Sequence, residues 1–272
     1  MPSILRHGID QEIQLAIKVG ASVIEYMPSF MLTYFERAKE LGIDIRETKL
    51  RLAIGIGEPW SEANKKNFFN QYGLPYYSWW GSMDMGIIGS DCEARTGMHL
   101  FADRYIIEVV DPETGEPLPD GEEGEFLITP LLNQSMPLIR YRPGDVGRMF
   151  PYEPCSCGRT LPKMSSVRGR VSQRINIRGK KILPLDVEEI VAGIEGLAGD
   201  YLVDIYKKGE MERLRVKMEY KPDVKNLNRL KDSIHEAFHW DYGIESEVEL
   251  VPKGSLTTGF AFKTARVIKT YE

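Results

Sequence analysis

The chain has 272 residues and a formal net charge of -5, a size that accommodates more than one domain with substantial cores. The acidic balance excludes nonspecific nucleic-acid binding through a broad basic face. No apolar run approaches the length of a membrane span, and the N-terminus lacks the basic, apolar, small-residue succession of a secretory signal; a cytoplasmic protein without membrane or nucleic-acid partners is the expectation.

In chain order, apolar periodicity predicts a helix over 11–19, an extended segment at 22–26, a helix over 28–41 and another extended segment at 52–56. Ser61 is a suitable N-cap for a helix through Phe69, and the aromatic run 75–80 reads as a strand. Residues 1–97 are thus expected to form an α/β part. From Met98 onward the pattern changes to short strands, including 105–110 and 126–129, divided by the turn residues Asp111-Pro112-Glu113-Thr114-Gly115. This predicts a β-rich subdomain over 98–171. A third unit over 172–272 has α+β patterning: extended segments at 174–177, 201–206, 214–220 and 247–251, with helices around 185–194 and 227–238. The fold class is accordingly α/β and α+β.

The cysteines form a group. Cys155-x-Cys157 lies in a Pro/Gly-flanked loop with the short spacing of a metal knuckle, and Cys92 is followed seven residues later by His99. Three thiolates and one imidazole would complete a structural tetrahedral zinc site; the alternative is three free thiols and a hydrogen-bonded histidine. A disulfide is disfavoured in a reducing cytosol. His235 and His239, four apart on a predicted helix, lack an acidic third ligand and read as an ordinary helix face.

The most informative run is Ser135-Met136-Pro137-Leu138-Ile139-Arg140-Tyr141-Arg142-Pro143-Gly144-Asp145. Its apolar stretch, two arginines and Pro-Gly turn are expected to place Asp145 at the end of a strand facing a cleft. A carboxylate there can accept from two vicinal hydroxyls of a ribose, while guanidinium groups serve phosphate oxygens; a structural salt bridge beside a turn is the alternative.

This run, followed by Gly169-Arg170 and then by Lys263 and Arg266, resembles the adenylate-forming superfamily, and most closely its phenylacetate-CoA ligase family. Met27-Pro28-Ser29-Phe30, Gly57-Glu58-Pro59-Trp60-Ser61, Gly97-Met98-His99, Gly121-Glu122-Glu123-Gly124-Glu125 and 178–184 agree with it. The resemblance spans the chain but covers the C-terminal portion of a family member, because the Ser/Thr/Gly-rich phosphate loop ending in lysine is not found here. Ser255 to Lys263 is a false candidate for that loop, since only nine residues follow it and no following helix is expected to present its amides to an anion.

Several site assignments follow from the resemblance. Gly57, Glu58 and Pro59 would line the adenine side, and Asp145 and Arg170 would hold ribose and nucleotide. Trp79-Trp80-Gly81-Ser82-Met83-Asp84 aligns with an aromatic-Gly-x-Thr-Glu motif, placing Trp80 and Gly81 at the nucleotide and Asp84 at Mg2+. Met83 replaces a threonine hydroxyl and Asp84 a glutamate, while Ser172-Gln173 replaces an acidic pair at the hinge of a mobile lid. Lys263 is the implied catalytic lysine. Family members carry cysteines and a histidine at the places of Cys92, His99, Cys155 and Cys157, which favours the zinc reading. The implied activity joins a small aryl or other apolar carboxylic acid to coenzyme A through an acyl-adenylate, with ATP consumed and AMP released. An N-terminal-half polypeptide is an expected partner and self-association a further option. The alternative is a noncatalytic nucleotide-binding or interaction protein on the same fold.

Overall fold

The computed structural model describes residues 8–177, 180–208, 211–256 and 267–270. The chain divides into two compact units, Met1–Val167 and Arg168–Glu272. No helix among the described residues is long and apolar enough to cross a membrane.

The first unit opens with α1 (Ile9–Val19), β1 (Val23–Tyr26), α2 (Pro28–Glu40), β2 (Leu52–Gly55), α3 (Glu62–Tyr72) and β3 (Tyr76–Ser82). β1, β2 and β3 pair in parallel, as strands joined by helical crossovers must. Local chemistry sets the helix limits. Pro28 occupies the first turn of α2, where a missing N–H costs nothing. The Ser61 side chain caps α3 by accepting from the Asn64 N–H at 3.1 Å, and Gly73 ends it in the left-handed conformation. On α2, Met31, Tyr34, Phe35 and Ala38 are buried at helical spacing. They join Phe68, Tyr72, Trp60 and Tyr76 in an aromatic core, with the Phe35 and Tyr72 rings 4.8 Å apart.

The sheet continues antiparallel from β3 through β4 (Gly86–Ser90) and β5 (Met98–Leu100) to β9 (Lys163–Met164), running past residue 97 without a break. A second antiparallel set comprises β6 (Tyr105–Val110), β7 (Gly124–Pro130) and β8 (Asp145–Gly147). Trp80, Ile88, Met98, Phe126, Ile128 and Met164 fill the core of this region.

The second unit begins with the short β10 (Gly169–Arg170) and a hairpin of β11 (Ile175–Ile177) with β12 (Lys180–Ile182), followed by α4 (Pro184–Gly193). Its four-stranded sheet is ordered β15 (Ser246–Pro252), β14 (Met211–Tyr220), β13 (Leu197–Lys208), β16 (Val267–Lys269). The central hairpin is antiparallel and both outer strands pair in parallel. α5 (Leu227–Tyr242) contributes Leu230, Ile234 and Phe238 to a core with Val203, Val216 and Met218. The molecule thus has the mixed α/β and α+β fold expected.

One local expectation is corrected. Asp145 opens a strand and does not end one, because the preceding run 131–140 forms no strand. Proline at 137 cannot donate to a ladder, and Ile139 is 80% exposed.

Candidate functional site

Two constellations lie in the first unit. The first joins the four metal-type side chains: Cys92 just after β4, His99 on β5, and Cys155 and Cys157 in the loop before β9. Pairing of β5 with both β4 and β9 brings these distant segments together. Their ligand atoms all lie within 4.8 Å of one another. Tetrahedral zinc bonds near 2.3 Å to sulfur and 2.0 Å to nitrogen imply sulfur–sulfur edges of about 3.8 Å and sulfur–nitrogen edges of about 3.5 Å. The Cys92 and Cys155 sulfurs are 3.8 Å apart, and the Cys157 Sγ lies 3.4 Å from His99 Nε2. His99 Nδ1 faces the Leu161 carbonyl at 3.1 Å. A carbonyl can only accept, so Nδ1 carries the proton and Nε2 turns its lone pair to the sulfurs. The backbone N–H of Arg159, with help from its guanidinium, draws the Cys157 thiol down to about 6, whereas burial pushes the Cys92 thiol up. The donor set fits a closed structural site with four protein ligands.

A buried ion pair that no local sequence pattern marks braces this constellation. Lys65 on α3, its side chain 1% exposed, bonds Asp91 at 2.7 Å and Glu62 at 2.6 Å. Asp91 also accepts from the Ser78 N–H of β3 at 2.8 Å. A buried ammonium requires such partners, and here they tie α3 and β3 to the residue preceding Cys92.

The second constellation surrounds the β3–β4 hairpin. Trp80, 6% exposed, donates its indole N–H to Asp145 Oδ2 at 2.9 Å across 65 positions of sequence. Near the hairpin tip, Asp84 Oδ2 accepts from the Tyr141 hydroxyl at 3.2 Å. Gly81 is required here, since a Cβ would stand 2.2 Å from the Gly86 carbonyl oxygen of the facing strand. Met83 is fully exposed at the turn. Tyr141 is fixed by a pair of backbone hydrogen bonds to Ile128, each 2.9 Å. Arg140, at a φ of 51°, turns the chain into that bridge. The arrangement therefore sets Asp84 and Asp145 as two carboxylates on one scaffold, each oriented by an aromatic donor.

The remaining sequence candidates lie elsewhere. Gly57, Glu58 and Pro59 follow β2. Glu58 binds the start of α2, accepting from the Ser29 N–H at 3.1 Å and the Ser29 hydroxyl at 3.0 Å. That pairing gives it a helix-capping task that the sequence reading did not include. In the second unit, the backbone N–H of Arg170 donates to Gln173 Oε1 at 3.1 Å, closing the short turn that contains Ser172. Lys263 and Arg266 lie outside the described residues.

Comparison with known proteins places these observations in a family. The model for the AMP-binding enzyme C-terminal domain matches residues 179–270. The phenylacetate-coenzyme A ligase of Aromatoleum evansii is 34% identical over 223 residues, covering 81% of this chain and 50% of that protein. The phenylacetate-coenzyme A ligase of Thermus thermophilus is 29% identical over 279 residues, covering 95% of this chain and 62% of that protein. The chain thus spans between about half and three-fifths of these relatives' length. Among solved structures, 2-hydroxyisobutyryl-CoA ligase with R3-HIB-AMP superposes with a TM-score of 0.86 at 23% identity, over 99% of this chain and 58% of that one. A benzoate CoA ligase from Burkholderia xenovorans LB400 gives 0.68 at 16% identity, over 92% and 51%. The chain belongs to the phenylacetate-CoA ligase family of adenylate-forming enzymes and matches the C-terminal part of its members.

Proposed function

We propose that this chain supplies the carboxyl-terminal portion of an ATP-dependent carboxylic acid–CoA ligase, working in the cytoplasm with an N-terminal-half polypeptide. The observation that carries the reading is the pair of carboxylates held on one scaffold, Asp145 by Trp80 and Asp84 by Tyr141. Asp145 would accept the two ribose hydroxyls, since an ionised carboxylate offers lone pairs on two oxygens and the Trp80 indole engages Oδ2. Asp84 would hold Mg2+, whose charge stabilises phosphate oxygens. Gly57, Glu58 and Pro59 would line the adenine, with Trp80 and Gly81 forming the wall beside it, and Arg170 would bind the nucleotide.

The proposed reaction has two steps. A carboxylate oxygen of a small aryl or other apolar acid attacks the α-phosphorus of ATP, the bond to pyrophosphate breaks, and an acyl-adenylate results. The thiol of coenzyme A then attacks the acyl carbonyl, losing its proton, and AMP leaves. Lys263 would neutralise charge between carboxylate and phosphate in the first step. Two relatives named for phenylacetate support an aryl acid as substrate.

Cys92, His99, Cys155 and Cys157 would hold one structural zinc, on the edge lengths and the His99 tautomer described above. It would tie the loop of 155–157 to β4 and β5 and take no part in the reaction.

Calorimetric titration with AMP tests the nucleotide reading. Asp145→Ala is expected to weaken AMP by roughly 10- to 100-fold, the worth of hydrogen bonds to a charged acceptor; an unchanged affinity would refute the ribose role. A noncatalytic nucleotide-binding protein is the second reading, favoured by Met83, fully exposed where the aligned motif has a hydroxyl.

A further inference from the structure

Glu125 has no part in the roles assigned above, yet it is a carboxylate only 4% exposed, on β7. Such a group is stable in place only with a partner. Its partner is Arg142: Nε donates to Glu125 Oε2 at 3.0 Å, and Nη2 donates both to that oxygen and to the Pro112 carbonyl at 3.0 Å. The guanidinium fork therefore clasps β7 and the Asp111-Pro112 turn at once, in a fixed plane that an ammonium lacks.

Arg142 lies inside the segment that carries both Tyr141 and Asp145. Tyr141 is bridged to Ile128 on one side, and on the other Val146 pairs with Glu125 itself in the β7–β8 register. Between them, Gly144 takes a φ of 85°, a conformation that lets the backbone reverse before Asp145. Arg142 is the one side chain of the 142–144 turn with bonds back to the framework among the described residues. Without it, no side chain would hold the 142–144 turn to β7, and Asp145, aimed by the Trp80 indole, would lose the support of the backbone that leads into it.

We propose that Glu125, acting through Arg142, is a positioning residue that sets Asp145 against the sugar and so determines selectivity for a nucleotide bearing an intact 2′,3′-diol. This inference rests on the reading of Asp145 as the ribose acceptor. Arg142 is half exposed, so the pair contributes geometry more than electrostatic stability.

The test is calorimetric titration of the chain with AMP and with 2′,3′-dideoxy-AMP, alongside circular dichroism and thermal unfolding. Wild type is expected to prefer AMP. Glu125→Gln is expected to reduce that preference by about tenfold, the equivalent of one charge-assisted hydrogen bond, while leaving affinity for the dideoxy nucleotide unchanged. Arg142→Lys, altered on the exposed side of the pair, is expected to do the same and serves if Glu125→Gln does not fold. Full preference retained in a folded variant would overturn the proposal, as would equal weakening of both nucleotides, which marks a merely structural role. Absence of any preference in wild type would instead overturn the ribose reading and the proposal with it.

Discussion

At the scale of single residues, the functional argument rests on a few orienting contacts. The Leu161 carbonyl selects the tautomer of His99, and the Trp80 indole aims Asp145. Protein purified without added metal is expected to contain one zinc per chain, measured by elemental analysis, and a stoichiometry near zero in chelator-free buffer would contradict the site. Cys157→Ser is expected to lose zinc affinity by more than the ~10- to 100-fold typical of removing an outer-shell partner. Thermal stability of the first unit should fall with it. The metal donors were legible in sequence because Cys155-x-Cys157 is a local pattern and every cysteine of the chain belongs to the group. Trp80 with Asp145, Lys65 with Asp91 and Glu125 with Arg142 were not legible as pairs. Each joins positions 17 to 65 apart, and only strand pairing and the packing of helix on sheet and sheet on sheet bring such positions together.

At the scale of elements, the longer helices and strands followed from periodicity and caps. Residues 105–110 read as a strand and form one, and the helix begun at Ser61 runs through Tyr72 to its glycine. β5, β8 and β9 have three, three and two residues and leave no periodic trace; β4 is Gly-Ile-Ile-Gly-Ser, whose glycines read as a turn. The run 131–139 misleads in the opposite sense, being apolar in composition but exposed at Leu131, Leu132, Met136 and Ile139. The packing of α2 and α3 also carries a pH dependence. Burial pushes the Tyr34 and Tyr72 hydroxyls up to about 12, with added repulsion from Glu12 and Glu36 respectively. Their folded-state values exceed the unfolded value near 10, so the folded form holds these protons more tightly. The associated stability is complete below pH 10 and is lost as pH rises through about 12. Alkaline unfolding followed by fluorescence should show this loss, and Tyr34→Phe should lessen it. An unchanged profile in that variant would count against burial as its cause.

At the scale of the whole molecule, the α/β first unit with its antiparallel extension and the α+β second unit make the fold of the C-terminal part of an adenylate-forming enzyme. The chain spans between about half and three-fifths of its curated relatives, and the Ser/Thr/Gly-rich loop that would anchor pyrophosphate is not among its residues. On the proposed function, the chain alone should form acyl-adenylate at a negligible rate, because both orientation and charge stabilisation of the leaving group are missing. The measurement that bears most directly on the central claim uses the chain combined with a family N-terminal half and an aryl acid. It compares adenylation with thioester formation from preformed acyl-adenylate, in wild type and Lys263→Ala. Turnover should appear on combination, and Lys263→Ala should suppress adenylation far more than thioester formation. Equal loss in both half-reactions would contradict the role of Lys263, and no turnover with any aryl or aliphatic acid would contradict the ligase itself.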